Sequence, residues 1–548
     1  MPDIQLTCSV SGQPFTITES DQAFYKKINV PLPTLCPKER LRRRATFRNE
    51  LHLYKRTCDM CSATVFSVFD TDVEFPVYCV KCWWSDAWDP QSYAKDFDFT
   101  RPFFDQYHEL LMTVPKAAAL QLGNENCDYN ALVAFSKNAY MSPGSYLVED
   151  CYYTRKSQSC KDCVNSNALD RCELVAYSTN CNNCYSSHHL VNCRNCLDSS
   201  FLSDCSNCQN CFMCSGLRNK KFCFKNQQYS QEDYKTILKN YATQPTKNTI
   251  EEFKNFINSL PQRSSIQMNS ENCTGDYIYN SQNAFECFDC FDLQDCKYMF
   301  ECADVKDSMD ILCHDKEIEL CYEICSGGEK NYNTKFAYCA VASSNSEYTY
   351  ACFYLLDSFG CDGFHFRNKN CILNKKYSEE EYANLKAKII DHMKGTGEYG
   401  EFFPIKISPF KYNESGAQTL LPLTREQCLE KGYPWKEIQA KEYASPTASV
   451  PENIASTPDS IMGELLACTK CRKNYKIIPQ ELKIYRKLNV PAPKHCTECR
   501  LKELDSFKNP RQLIDSNCSN CQVQIQTTHP EESGAVVYCE KCYLNWVN

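Results

Sequence analysis

Cysteine dominates what this sequence can form, because 41 of its 548 residues are cysteine and nearly all of them fall into four separate blocks. The first residues lack the basic and then apolar pattern of a secretory signal, and no stretch approaches the roughly 20 apolar residues that cross a membrane. We therefore expect a cytoplasmic protein and not a membrane protein. In a reducing compartment this many thiols favour metal binding over a disulfide framework. The blocks cover residues 1–82, 151–223, 273–371 and 468–542.

The last cysteine block consists of four Cys-x-x-Cys pairs, a pattern typical of zinc modules. Each pair places two thiolates on a tight turn, and two pairs complete a tetrahedral sulfur shell with Zn–S distances of about 2.3 Å. Four protein ligands leave no open position for a substrate or an activated water, so the sites are predicted to be structural. The pairs are Cys468 with Cys471, Cys496 with Cys499, Cys518 with Cys521, and Cys539 with Cys542.

The N-terminal block repeats the C-terminal block in the same register, so that Cys8 corresponds to Cys468. Such a long match in register indicates an internal duplication. In the first N-terminal site only Cys8 and Cys36 remain, because Ser11 and Glu39 stand at the other two ligand positions. We predict three zinc ions per chain, with this first site degenerate. The second N-terminal site is complete and consists of Cys58, Cys61, Cys79 and Cys82.

The N-terminal module contains the segments LTCSVSGQPF at 6–15, FYKK at 24–27 and PTLCPKERLRRR at 33–44. They resemble the treble-clef zinc-binding module of bacterial proteins, in which the first ligand pair forms a knuckle and the second pair begins a helix. The segments RNELHLYKRTCDMC at 48–61 and CVKCWWSDAWDP at 79–90 follow. With them, the chain is similar over nearly its whole length to a family of uncharacterised cysteine-rich proteins of uncultivated bacteria. The resemblance implies treble-clef or zinc-ribbon ends and implies no activity.

The block 151–223 becomes regular in rows of 21 residues, in which the cysteines form three columns. Leu202 occupies one position of a cysteine column, which a packed interior accepts and a ligand site does not. A period of 21 with short polar breaks predicts one coil of a right-handed parallel β-helix, with cysteines as small buried residues. Zinc knuckles, such as Cys160 with Cys163, and disulfides are the alternatives. The columns are Cys151, Cys172, Cys193 and Cys214; Cys160, Cys181, Leu202 and Cys223; and Cys163, Cys184 and Cys205.

A second, looser block of the same kind follows at 273–371. Each block ends in a predicted helix, and the N-caps of these helices are Ser230 and Ser378. Tyr382 and Ile389 recur at helical spacing in the second helix, which predicts an apolar face that covers the end of the solenoid.

The predicted fold is mainly β, with two cysteine-laddered, right-handed β-helix-like solenoid blocks between duplicated treble-clef or zinc-ribbon modules. Each solenoid block is capped by a helix. A segment rich in Ala, Ser, Thr and Pro precedes the C-terminal module and is predicted to be a flexible linker that tethers this module. The predicted boundaries are 1–97 for the N-terminal zinc module, 98–123 for a connector, 124–262 and 263–395 for the two capped solenoids, 396–439 for a wrapping segment, 440–461 for the linker and 462–548 for the C-terminal zinc module.

No HExxH helix, GxSxG elbow or Walker A loop occurs in the sequence. We therefore predict a non-enzymatic, zinc-binding scaffold that acts through protein partners. Residues 38–56 carry a net charge of +6, whereas the whole chain carries -8. We expect this basic segment either to contact RNA or DNA or to pair with the acidic solenoids of the chain itself. The candidates for nucleic-acid contact are Arg40, Arg42, Arg43, Arg44 and Arg48.

The alternative function is that of a β-helix enzyme acting on a carbohydrate-like substrate. Such an enzyme needs carboxylates that converge on one face of the solenoid, and the candidates are Asp289, Asp292 and Asp295. His188 and His189 have no partner motif and are predicted to lie on the surface of a coil.

Overall fold

The computed structural model describes residues 2–242, 248–313, 316–437 and 442–547. The chain divides into two compact units. Unit 1 comprises Met1–Ala119 and Ile266–Glu437, and unit 2 comprises Leu120–Ser265 and Ile438–Asn548. Each unit therefore combines one cysteine module from an end of the chain with one solenoid block from its middle. No helix among the described residues has both the length and the apolar character needed to cross a membrane.

Each unit contains one block of β-solenoid coils, which lies within residues 121–228 in unit 2 and within residues 267–313 and 316–369 in unit 1. The strands of these coils are parallel, and neighbouring coils in the first block pair residues twelve positions apart, as Tyr152 does with Val164. In the second block the spacing varies: Gln267 pairs with Ile278, and Met309 pairs with Tyr322. The mainly β, solenoid-containing fold is confirmed. The predicted coil length of 21 residues is wrong, because one coil of the first block contains 12 residues.

A three-residue backbone repeat explains both the 12-residue coil and the 21-residue spacing of the cysteines in the sequence. Every third residue through the first block has a positive φ, for example Asn180 at 59° and Asn183 at 53°. Asn and Asp tolerate this left-handed conformation better than other residues with a side chain, which accounts for their frequency here. Cys181 and Cys184, the residues after these two corners, are both buried. Cysteines therefore recur at multiples of three, and 21 is such a multiple although it is not the length of a coil.

The interior of each coil is narrow and is filled by small side chains. Cys172 and Cys181 are 1% and 2% exposed. The thiol of Cys172 donates to the carbonyl oxygens of Asp170 and Cys181, at 3.4 and 3.5 Å. Leu202 lies in the same interior cluster as the cysteines. These cysteines thus behave as small buried residues, as the interior-packing interpretation predicted.

The first solenoid block and the C-terminal module form unit 2. Its helices are Gln231–Ala242, Thr249–Asn258, Pro479–Leu488, Thr497–Asp505 and Glu540–Val547, with 3-10 turns at Ile454–Ser456, Asp459–Met462 and Glu531–Ser533. Its strands are Gln121–Leu122, Val133–Ala134, Tyr152–Arg155, Val164–Asp170, Glu173–Ala176, Thr179–Asn182, Tyr185–Val191, Ser200–Ser203, Phe212–Ser215, Cys223–Phe224, Gln227–Gln228, Gln262–Arg263, Leu466–Ala467, Asn474–Tyr475, Ile514–Asn517, Gln524–Thr527 and Val537–Tyr538.

The second solenoid block and the N-terminal module form unit 1. Its helices are Glu19–Lys27, Pro37–Ala45, Val80–Trp83, Phe103–Thr113, Glu379–Thr396, Gly416–Leu420 and Arg425–Glu430, with 3-10 turns at Pro90–Tyr93, Ile405–Ile407 and Tyr412–Glu414. Its strands are Ile4–Thr7, Pro14–Ile17, Tyr54–Thr57, Thr64–Ser67, Val77–Tyr78, Lys116–Ala117, Gln267–Met268, Gly275–Tyr279, Gln282–Phe285, Cys287–Lys297, Ala303–Leu312, Ile318–Glu319, Tyr322–Cys325, Lys335–Val341, Glu347–Phe353, Leu355–Leu356, Asn368–Lys369, Cys371–Ile372 and Lys375–Lys376.

A helix follows each solenoid block, as predicted. Ser378 caps the helix Glu379–Thr396 through a reciprocal capping box with Glu381, and the helix buries Tyr382 and Ile389. Ser230 accepts a hydrogen bond from the backbone of Asp233 at the start of the first cap helix.

The C-terminal module packs on the first solenoid block through an apolar cluster. Ile454 and Ile461, which belong to the segment predicted as a linker, are buried in this cluster beside Tyr153 and Tyr485. Arg500 also donates to Asn165 of the solenoid at 2.7 Å. The structure therefore differs from a tethered module, because apolar residues of this segment have a buried surface to pack against. Residues 440 and 441 of the predicted linker lie outside the described residues.

Candidate metal centres and the buried arginine helix

The structure assembles three groups of four cysteines, and they are the three complete tetrads predicted from the sequence. Within each tetrad all four sulfur atoms lie within 4.8 Å of one another. Among the residues that the structure describes, these are the groups of three or more Cys, His, Asp or Glu that meet this criterion. The alternative of additional metal knuckles in the solenoid therefore finds no support in the described coils. The tetrads are Cys58, Cys61, Cys79 and Cys82; Cys468, Cys471, Cys496 and Cys499; and Cys518, Cys521, Cys539 and Cys542.

The sulfur spacing fits a tetrahedral ion. A Zn–S distance of about 2.3 Å places the sulfur atoms of a regular tetrahedron about 3.8 Å apart. The structure has 3.9 Å between Cys61 and Cys79, and 3.8 Å between Cys521 and Cys539. Four thiols at this separation form a closed shell, so they can hold a metal ion without leaving a position for a substrate.

Local chain geometry positions each tetrad. In the last module the hairpin of Ile514–Asn517 and Gln524–Thr527 carries the first ligand pair at its turn, where Gln522 takes a left-handed conformation with φ of 63°. Cys539 immediately precedes the helix Glu540–Val547, whose first turn carries Cys542. One pair thus comes from a hairpin knuckle and the other from a helix start, which explains why ligand pairs distant in sequence meet.

Backbone amides prepare one thiol of each tetrad for ionisation. The amide of Cys539 donates to the sulfur of Cys518 at 3.2 Å. Burial opposes ionisation of Cys518, but hydrogen bonds from the amides of Cys521, Cys539 and Asn520 outweigh it and lower its pKa to about 6. Cys468 has the same pattern, burial opposed by amide hydrogen bonds, and its pKa is also lowered to about 6. A thiolate is the form that binds a metal ion.

The first N-terminal site lacks a ligand shell, as predicted. Cys8 and Cys36 are buried, and the hydroxyl of Ser11 lies 3.9 Å from the sulfur of Cys36. Glu39 does not replace the missing thiolate, because its carboxylate accepts a hydrogen bond from Arg42 at 3.0 Å. The fold of this module is nevertheless the same hairpin and helix, so its stability comes from other contacts.

These contacts come from the helix Pro37–Ala45, named here the arginine helix. Arg40 and Arg44 each donate to a different oxygen of Asp310, both at 2.9 Å. Arg43 forms a bidentate pair with Glu323, at 2.7 and 2.8 Å. Asp310 and Glu323 occupy corner positions of neighbouring solenoid coils, with φ of 60° and 47°. The corners of the solenoid therefore present carboxylates directly to the arginine helix.

The predicted nucleic-acid candidates are interior residues. None of these five arginines is more than 7% exposed. Arg42 donates to the hydroxyl of Tyr412, and Arg48 donates to Glu50 and Ser326. As placed, they cannot reach a phosphate backbone, and the alternative of pairing with the chain's own solenoid describes them correctly. The duplication held a signal for this outcome, because both copies keep an arginine at this position, and Arg40 and Arg500 are both buried.

The carboxylates and histidines singled out by the sequence do not form a catalytic cluster. Asp289, Asp292 and Asp295 all have positive φ and lie at successive corners of the coil, so their side chains point in different directions. Asp292 and Asp295 each accept a hydrogen bond from an asparagine of the preceding coil. His189 lies at a corner of a coil, is half-buried, and stacks on Phe201 with ring centroids 4.4 Å apart.

No protein-family model matches this sequence, and no curated protein is significantly similar to it. The resemblance to cysteine-rich proteins of uncultivated bacteria stays a prediction. What the structure supports is coarser: three four-cysteine groups consistent with zinc-binding modules, attached to a β-solenoid.

Proposed function

We propose that this protein is a non-enzymatic scaffold, stabilised by three zinc ions, that acts by binding other macromolecules in the cytoplasm. The observation that carries the proposal is the closed sulfur shell of each tetrad, in which all four positions are occupied by cysteine. A closed shell contributes folding free energy, whereas a catalytic zinc site keeps one position for water or substrate. Zinc is the expected metal because paired Cys-x-x-Cys knuckles match structural zinc modules better than iron–sulfur spacings.

The placement of each tetrad supports a structural role. The module with Cys468 and Cys496 packs its helix Thr497–Asp505 on the first solenoid through Arg500, whose guanidinium lies 2.7 Å from Asn165. Zinc would therefore hold together the element that docks on the solenoid. The two units then offer long solenoid surfaces as the sites of contact with protein partners.

The alternative of a carbohydrate-active enzyme lacks a site. Its carboxylate candidates lie at successive corners, and catalysis of glycoside cleavage needs two carboxyl groups on opposite sides of one bond. No observation on these residues favours the enzyme over the scaffold.

The test of the proposal is the metal content of the reduced protein after purification without added zinc. We expect three zinc ions per chain by elemental analysis, and two in Cys518→Ser. Cys8→Ser is the matched control and should retain all three, because its site is degenerate. A content of one ion or none in the unaltered protein would refute the scaffold as proposed. Iron in place of zinc, with visible absorption, would replace the structural assignment with a redox one.

A further inference from the structure

The two copies of the duplicated module differ in the charge of their first knuckle. In the C-terminal copy the turn between Cys468 and the following strand carries Lys470, Arg472 and Lys473, and all three side chains are exposed. Residues 470–511 contain twelve Lys or Arg and four Asp or Glu, in a chain whose net charge is -8. The N-terminal copy has uncharged residues at the three matching positions, which are Val10, Gly12 and Gln13.

A cleft lies beside this basic knuckle. It has a volume of about 310 Å3 and is lined by Lys254, Lys470 and Lys502 together with Cys499, Glu503 and Ser506. The three lysines come from three different elements: the helix Thr249–Asn258, the knuckle, and the helix Thr497–Asp505. The fold thus brings together cations that are up to 248 positions apart in the sequence.

The ion pairs of Lys470 and Lys502 are weak enough to exchange, and Lys254 donates to the hydroxyl of Ser506 at 3.1 Å. Lys470 lies 3.7 Å from Glu503, and Lys502 lies 3.3 Å from Glu498. The side chains of Lys470 and Lys502 are 48% and 74% exposed. Exposed pairs of this kind contribute little to stability, so a phosphate can take the place of the carboxylate at little cost. The buried arginines of the N-terminal copy have no such freedom.

The composition of the cleft favours phosphate over a protein partner. Lysine is depleted in protein–protein interfaces, whose centres are formed by aromatic side chains, methionine and arginine. Three of the six residues that line this cleft are lysines, the other three are Cys499, Glu503 and Ser506, and none of the six is aromatic. Lysine and serine side chains are, by contrast, common ligands of the phosphate oxygens of nucleic acids.

We propose that this cleft and the adjoining knuckle bind the phosphate backbone of single-stranded nucleic acid. The inference rests on the proposed scaffold function and names one of its partners. Lys254, Lys470, Lys502 and the knuckle arginine Arg472 supply about four phosphate contacts. Each contact on a single strand adds about -0.7 to the slope of log affinity against log salt, so the slope should be about -2.8. Affinity should therefore fall about 50-fold between about 50 and about 200 mM salt.

The experiment uses the full, zinc-loaded chain and a fluorescein-labelled oligouridylate of about 16 nucleotides, with binding followed by fluorescence anisotropy. Lys470→Gln combined with Lys502→Gln should halve the slope to about -1.4, so that the same change in salt weakens binding only about 7-fold. The matched control is Lys376→Gln combined with Lys388→Gln, which removes the same charge from exposed positions of unit 1. This control should keep the slope of the unaltered protein.

Zinc content is measured on the same samples, so that failure of the scaffold proposal is distinguished from failure of this one. An equal loss in both double variants would mean that net charge alone drives binding, and it would overturn the site. Absence of binding at low salt by a chain that holds three zinc ions would overturn it as well. So would binding to vesicles of anionic phospholipid without binding to the oligonucleotide.

Discussion

The contact between the arginine helix and the solenoid makes a sharp prediction at Asp310. This carboxylate is fully buried and accepts hydrogen bonds from Arg40 and Arg44 at 2.9 Å each. Asp310→Asn keeps the size of the side chain and suits the left-handed backbone at this corner, where φ is 60°. The substitution therefore removes a charge and replaces one of the two acceptor oxygens by an NH2 group, with little change in shape.

Removal of one partner from a buried ion pair costs about 3–5 kcal/mol, because the remaining charge stays buried. Two features place Asp310→Asn near the lower limit. The asparagine keeps one acceptor oxygen, and Glu323 remains 4.0 Å from Arg40 and 3.7 Å from Arg44. We expect unit 1 to lose about 3 kcal/mol of unfolding free energy. With a urea m-value of about 3 kcal/mol per molar, the midpoint should fall by about 1 M.

Urea unfolding followed by tryptophan fluorescence measures this effect in unit 1, which contains four of the five tryptophans. The matched control is Asp307→Asn, three residues earlier and also at a corner. Asp307 is 39% exposed and lies 3.1 Å from the exposed Lys27, so its loss should cost less than about 1 kcal/mol. Equal midpoints for the two variants would refute the argument that these buried pairs hold the arginine helix on the solenoid.

Three further predictions concern the ladder, the metal and pH. Cys181→Val should lower the free energy of unfolding by about 1 kcal/mol or less and release no zinc, because Leu169 already occupies the adjacent position of the same column. Urea unfolding and elemental analysis test this prediction, and loss of metal would contradict it. Cys518→Ser should unfold its own module, since structural zinc contributes on the order of 10 kcal/mol of folding free energy. Limited proteolysis should then cleave the chain first within this module, and unchanged resistance to the protease would contradict the prediction. Burial opposes ionisation of Glu401, but Arg43, 2.5 Å away, outweighs it and lowers the carboxyl pKa. Its contribution to stability is present above its ordinary value of 4.5 and is lost as pH falls below it, so Glu401→Gln should flatten the decline of the urea midpoint between about pH 5 and pH 3.

The metal sites could be predicted from the sequence because the geometry of each ligand pair depends on a few neighbouring residues. A Cys-x-x-Cys pair defines a turn almost by itself, and two such turns can meet around only a small volume. The match between the two modules also identifies the degenerate site, because Ser11 and Glu39 stand where the C-terminal copy has Cys471 and Cys499. The packed interior of the solenoid could also be predicted from the sequence, because Leu202 stands among the cysteines at a position that a metal ligand could not occupy.

The coil length could not be predicted from the sequence, because it depends on which strands pair with each other. Inward positions repeat every three residues, so any multiple of three aligns cysteines in columns, and only the register Tyr152 to Val164 selects 12. Backbone pairing across coils is a non-local choice that periodicity alone leaves open.

By itself the sequence determined the three cysteine tetrads, the duplication and the solenoid character, because each follows from spacing along the chain. Only the tertiary structure determined which charged side chains are buried and which are exposed. Arg43 and Lys502 are both cations on the helix that follows a knuckle, yet the first is buried against Glu323 and the second is exposed. The reason is physical: a cation is buried only where the fold supplies a carboxylate at hydrogen-bond distance, and that carboxylate lies some 280 residues away in the chain.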